Sequence, residues 1–126
     1  MIQPDIIVAH YNEDRSCLTQ FRIGEIFVKG DNPRDRKLAA KWYLESAKQG
    51  YRKSQRRLGT MYALGYGMPK NYIKAYAWFK ISAAQQSPKA ISNLRKLKAH
   101  MTTEQIYYAK KLSKQYYETF VAPFKP

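Results

Sequence analysis

The sequence predicts an all-α chain, a right-handed α-solenoid of about three helix–turn–helix repeats. Three observations carry this expectation. Two long segments repeat each other. Apolar residues recur at three- and four-residue spacing within each half of the repeat. Proline and glycine punctuate the halves.

The repeat comes first, because it organises everything else. RIGEIFVKG (Arg22 to Gly30), followed by PRDRKLAAKWYLESAKQG (Pro33 to Gly50), aligns with RLGTMYALG (Arg57 to Gly65) and PKNYIKAYAWFKISAAQQ (Pro69 to Gln86). Ile23, Gly24, Phe27 and Gly30 match Leu58, Gly59, Tyr62 and Gly65, 35 residues on. Pro33, Ala39, Trp42, Tyr43, Ser46 and Ala47 match Pro69, Ala75, Trp78, Phe79, Ser82 and Ala83, 36 residues on. The extra residue falls in the Gly65-Tyr66-Gly67-Met68 turn, where an insertion leaves the helix faces in phase.

With 126 residues there is room for one domain. Residues 1–12 show no period and read as an irregular arm. The repeat domain spans 13–122, in units of about 16–51, 52–87 and a degenerate capping pair 88–121, and 123–126 form a tail. In the first helices, Leu58, Met61, Tyr62 and Leu64 mark an apolar face. In the second helices, Leu38, Ala39, Trp42, Tyr43 and Ala47 do so, with Ile73, Tyr76, Ala77 and Phe79 on equivalent turns. Pro33 and Pro69 are expected to open the second helices, where a missing N–H is harmless. Gly30 and Gly65 are expected as left-handed stops of the first helices, and Gly50 as the stop of a second. Gly24 and Gly59 stand inside helices, where glycine costs about 1 kcal/mol against alanine. Their recurrence predicts a close helix contact at that point. Trp42 and Trp78 are expected to be buried equivalents.

The third copy is degenerate. Ser54 corresponds to Ala90 and Leu58 to Leu94, but Arg95 replaces Gly59. Thr102 and Gln105 offer a capping box. Ile106, Ala109, Leu112, Ser113, Tyr116 and Phe120 form the apolar stripe of a last helix.

Charge is the strongest compositional feature. There are 23 Lys+Arg against 9 Asp+Glu, a formal net of +14, and no acid stands between Ser46 and Thr103. Such a field attracts acidic partners. No run approaches the roughly 20 apolar residues of a membrane span, and MIQPDIIVAH does not read as a secretion signal. With a single cysteine, Cys17, the default expectation is a cytoplasmic protein; a trimmed periplasmic or secreted one would look the same.

No catalytic constellation stands out, and no cofactor or metal is expected. His10 and His100 lie far apart and near no ligand set. Cys17, beside Arg15, could be a low-pKa thiol but reads better as structural. Glu13, Asp14 and Glu104 lack a base partner. Gly65-Tyr66-Gly67 lacks the Gly-Lys-Ser/Thr ending of a phosphate loop. Tyr62, Tyr66, Tyr72, Tyr76, Trp78 and Phe79 interleave with Lys70, Lys74 and Lys80, a pattern that could stack single-stranded nucleic acid. Tyr62, Trp78 and Phe79 fall on core positions, however, which leaves Tyr66 and Tyr72 free.

RLGTMYALGYGMPKNYIKAYAWFKISAAQQ resembles the Sel-1-like repeat, a relative of the tetratricopeptide repeat. The resemblance rests on Leu58-Gly59, Tyr62, Gly65, Gly67, Pro69-Lys70, Lys74-Ala75, Trp78-Phe79 and Ala83-Ala84. The first copy shares Ile23-Gly24, Phe27, Gly30, Ala39, Trp42-Tyr43 and Ala47, but has Gly30-Asp31-Asn32 in place of Gly-x-Gly; the second has Asn71 where an acidic residue is usual. The resemblance implies an adaptor whose stacked helix pairs bind a peptide or folded partner on their concave side. It also implies a bacterial setting, in regulation, secretion or the envelope. Some relatives have been proposed to hydrolyse β-lactams. Those are disulfide-rich, and one cysteine argues against that role here.

The expected function is therefore a non-enzymatic adaptor that binds an acidic peptide or protein through a basic concave groove. Its expected lining comes from the first helices: Arg22, Glu25, Lys53, Arg56, Thr60, Lys89, Asn93 and Lys96. Arginine and lysine there would pair with carboxylates. The alternative is nucleic acid or an anionic lipid surface bound through residues 46–103. No small-molecule substrate is expected, and the chain is expected as a monomer or weak dimer.

Overall fold

Among the described residues, each α-helix but one starts where a short polar side chain can take a free backbone N–H. In the computed structural model, which describes residues 16–125, α1 runs Cys17–Val28 with Ser16 Oγ accepting from the Thr19 N–H at 3.1 Å. Helix α2 runs Pro33–Ala47 behind Asn32, α4 Tyr72–Ala84 behind Asn71, and α5 Pro88–Lys98 behind Ser87. Helix α3, Arg52–Leu64, has Tyr51 at its N-cap and no side-chain cap. Helix α6, Thr103–Phe120, opens on the capping box of Thr102 and Gln105, and a 3₁₀ turn, Ala122–Phe124, follows it. Among the described residues there is no strand. The arm expected over residues 1–12 lies outside them, with His10, Glu13, Asp14 and Arg15.

Two turn expectations need correction. Pro33 opens α2, but Pro69 stays in the turn. Helix α4 begins three residues later because Asn71 caps it, its side chain accepting from the Lys74 N–H at 3.0 Å while its own N–H donates to the Tyr62 carbonyl at 2.9 Å. Gly65 and Gly50 take the left-handed conformation as expected, at φ 69° and 88°, but in the first unit Asp31 takes it, at φ 47°, and Gly30 does not. Aspartate tolerates that region, and Asp31 is held there. The Arg36 guanidinium and the Tyr66 hydroxyl both donate to its Oδ1, at 2.8 and 2.7 Å. The Tyr66 bond first, and Arg36 next, keep the Asp31 carboxyl below its ordinary range.

The chain builds its two regular units on the same anchors. A Cβ on Gly24 would stand 2.7 Å from the Tyr43 ring, and one on Gly59 would stand 2.5 Å from the Phe79 ring. Each glycine lets an aromatic of the second helix lie against the first helix's backbone, which is the close contact expected. Beside it, Ser46 Oγ donates to the Cys17 carbonyl at 2.7 Å, and Ser82 Oγ to the Arg52 carbonyl at 2.8 Å. Gln49 donates to the buried Gln20 at 2.5 Å, and Gln85 to the buried Gln55 at 2.8 Å. Between units, Ser54 donates to Ser46 at 2.6 Å and Gln55 to the Ala47 carbonyl at 3.1 Å.

The third unit loses every one of these anchors, and its geometry changes accordingly. Arg95 fills the glycine position, and Gln115 stands where Tyr43 and Phe79 stood. Helix α6 does not fold back along α5; it lies along the outer side of α4. There Tyr116 and Phe120 cover Trp78, with ring centroids at 4.8 and 5.3 Å, and Val121 joins the core of the first two units. This second covering layer explains why α4 is buried on nearly all sides. It also separates the two tryptophans: Trp78 is 2% exposed, whereas Trp42 is half-buried at the core's edge.

Candidate functional site

The first helices α1, α3 and α5 each carry a polar stripe at three- and four-residue spacing. On α1 it is Arg22 and Glu25. On α3 it is Lys53, Arg56, Thr60 and Leu64. On α5 it is Lys89, Asn93 and Lys96, with His100 in the turn just past the helix. Thr60 and Leu64 form a ridge with a hollow on either side. One hollow, of about 260 Å³, lies between α1 and α3 and is lined by Glu25, Tyr43, Arg57 and Tyr66. The other, of about 360 Å³, lies between α3 and α5 and is lined by Asn93, Lys96, His100, Lys70 and Tyr72. Leu64, at the crest, is 68% exposed.

The structure thus brings Thr60, Asn93 and Lys96 to one hollow and Glu25 to the other. Arg22, Lys53 and Lys89 are exposed and line neither. Arg56 is half-buried beside Arg57. Burial first, and the neighbouring guanidinium next, lower its proton affinity. Glu25 is internally committed. It accepts from Arg57 Nε and Nη2 at 2.7 and 3.1 Å and from the Tyr43 hydroxyl at 2.5 Å. Sequence reasoning missed Arg57, because its partner lies in the preceding unit. The acid among the expected lining residues is therefore neutralised by a base, and the face remains net basic.

Tyr66 is not free, since its hydroxyl serves Asp31 and Arg36 sits 4.6 Å over its ring. Lys70 lies 5.4 Å over Tyr72, and Lys74 5.6 Å over half-buried Tyr62. These rings are already partnered by cations, which leaves less open surface for bases than the sequence pattern promised. Among the described residues no three His, Cys, Asp or Glu side chains gather as a metal site, and no helix is long and apolar enough to cross a membrane.

Burial of Tyr43, and then its bond to Glu25, push its ionisation well above the ordinary tyrosine value; burial raises Tyr76 and Tyr116 too. The folded chain keeps phenol protons that the unfolded chain releases near pH 10. This contribution is fully present below about pH 10 and is lost as pH rises beyond it. Thermal melts are expected to fall in this range, and Tyr43→Phe to flatten part of the fall. An alkaline slope unchanged in Tyr43→Phe would place the titration elsewhere.

Comparison with known proteins agrees with this architecture. The Sel1 repeat model matches residues 18–51 and 52–87, and the chain belongs to the Sel1 repeat family. Proteins of this family generally mediate protein–protein interaction, on a fold that is typically a non-catalytic scaffold. Among solved structures, the chain is similar to c5321, a protective antigen present in uropathogenic Escherichia coli strains that displays an SLR fold. The identity is 29% and the TM-score 0.80, over 86% of this chain and 24% of that one. It is also similar to a Sel1 repeat protein from Oxalobacter formigenes, at 25% identity and TM-score 0.66, over 86% of this chain and 49% of that one. The chain thus spans about a quarter and about half of these two proteins. No curated protein matches it.

Proposed function

We propose that the chain is an adaptor whose row of first helices holds an acidic peptide or acidic protein segment, in a bacterial regulatory, secretion or envelope role. The observation that carries this reading is the Thr60–Leu64 ridge between two hollows. It offers apolar contact at Leu64 and cations at Lys96 and Lys70, with Arg56 half-buried one turn before Thr60, while its one carboxylate, Glu25, is held by Arg57. Carboxylates of a bound segment would meet lysine and arginine there, and an aliphatic side chain would cover Leu64. Both structural neighbours come from bacteria, which supports the setting.

The test is affinity capture from the source cell at low and high salt, with the parent chain, a Thr60→Arg/Lys96→Glu variant and a Lys41→Glu/Lys74→Glu control. The control changes two exposed lysines of the second helices. The expected result is an acidic protein retained by parent and control and lost by the first variant. Recovery of nucleic acid alone, reduced alike by both variants, would contradict it.

A further inference from the structure

The face that a first helix turns toward the second helix of its own unit can be followed along the chain. Gln20, Ile23 and Gly24 are buried in the first unit, and Gln55, Leu58 and Gly59 in the second. The corresponding residues of α5 are Ile91, Leu94 and Arg95. Ile91 is 43% exposed, Leu94 is half-buried and Arg95 is exposed. They are uncovered because α6 lies along α4 and not along α5.

The departure of α6 leaves a furrow with α4 as its floor and α5 and α6 as its walls. Two adjoining hollows form it, sharing Lys80 and Ala84. The one against α5, of about 300 Å³, is lined by Ile91 and Leu94. The one against α6, of about 470 Å³, is lined by Ile81 and Tyr117, with Lys110 and Lys114 at its rim.

We propose that this furrow docks one amphipathic helix of a partner protein, with small apolar residues on its inner face and Asp or Glu along its flanks. The occupant is a helix because the same face is covered by a helix in both regular units. It is acidic because the rim carries Lys80, Lys110 and Lys114 against Glu118 alone, with Arg95 one turn from Ile91. A second copy of the chain fits poorly, since two molecules of formal charge +14 would have to meet. Its floor carries Ala83 and Ala84, and its α5 wall is aliphatic, with Ile91 and Leu94, so a helix with small residues could approach closely there, as Tyr43 and Phe79 approach the glycines. The furrow lies among α4, α5 and α6 and shares no lining residue with the two hollows of the Thr60–Leu64 ridge, so either surface can fail its test alone.

The experiment selects a displayed library of amphipathic helical peptides on the full chain, with counter-selection on Ala84→Arg, and measures the survivors by fluorescence anisotropy. Ala84 and Lys80 are exposed, so Ala84→Arg and Lys80→Glu should keep the parent's circular dichroism; were Ala84→Arg to lose it, Lys80→Glu would serve alone. The expected survivors carry acidic flanks, lose about tenfold or more in affinity on either variant, and bind Thr60→Arg like the parent. The proposal is overturned if no peptide survives counter-selection, or if Thr60→Arg abolishes binding while Lys80→Glu does not. It is equally overturned if a random oligonucleotide competes as well as the peptides do, or if Ala84→Arg dissociates a dimer of the chain itself.

Discussion

Replacing Trp78 with alanine is expected to unfold much of the population at ambient temperature. Truncating a buried aromatic costs about 3–5 kcal/mol, against a total stability of about 5–15 kcal/mol for a typical domain. Three units are near the minimum for a stable solenoid, which places this chain toward the lower end. Trp78 sits where all the layers meet. Its ring stacks on Phe120 at 17° and tilts against Tyr116, so its loss uncouples α6 from the regular units as well as opening a cavity. Trp42→Ala should cost less, because Trp42 is only half-buried. Urea unfolding of the two variants, followed by circular dichroism, measures the difference. A Trp78→Ala variant melting within about two degrees of the parent would correspond to well under 1 kcal/mol, and would mean that α6 does not cover that ring.

Gly59→Ala is expected to destabilise the chain even though alanine is the better helix former. Propensity alone favours alanine by about 1 kcal/mol. Packing opposes it: the new methyl would lie 2.5 Å from a ring carbon of Phe79, itself 3% exposed and unable to swing away. Overpacking of that kind costs about 1–3 kcal/mol, so the net change is a loss in most of that range. Gly24→Ala, at 2.7 Å from Tyr43, should behave likewise. The sign identifies the cause, because removing the ring should reverse it: in a Phe79→Leu background Gly59→Ala is expected to cost little or to stabilise. Chemical denaturation of the four chains forms the cycle. A stabilising Gly59→Ala in the parent would show that the helices stand further apart than described.

Much of the fold was legible because it repeats. Gly24 and Gly59 have no local reason to be glycine, so their recurrence pointed to a neighbour, and the neighbours are Tyr43 and Phe79. Thr102 and Gln105 act within one turn, and local signals of that kind survive without tertiary knowledge. What escaped depends on residues distant in sequence. Asp31 rather than Gly30 turns the chain, because Arg36 and Tyr66 hold it. Arg57 neutralises Glu25 across 32 positions. The repeated glutamine bonds of Gln49 and Gln85 join residues 29 and 30 positions apart and leave no local signal. The course of α6 was half-visible in Arg95, whose side chain occupies the place where a second helix would approach. Where the helix went instead was not visible, since its target, Trp78, belongs to another unit.

The candidate face was legible as a set of helix stripes but not as a shape. Thr60, Asn93 and Lys96 share a hollow, while Lys53 and Lys89 stand at the N-terminal ends of α3 and α5, beyond it. Position should therefore matter along each stripe as well as between helices.

Titration of the captured partner against Lys96→Glu, Arg56→Glu, Lys41→Glu and Lys74→Glu, each at several salt concentrations, tests the central claim most directly. Lys96→Glu and Arg56→Glu are expected to weaken binding by about tenfold or more, since each turns an attractive pair into a repulsive one at a docked position, worth about 1.4 kcal/mol or above. Lys41→Glu and Lys74→Glu should change it little. Equal losses for all four, with log affinity falling linearly in log salt, would be the mark of counterion release from a polyanion and would contradict that claim.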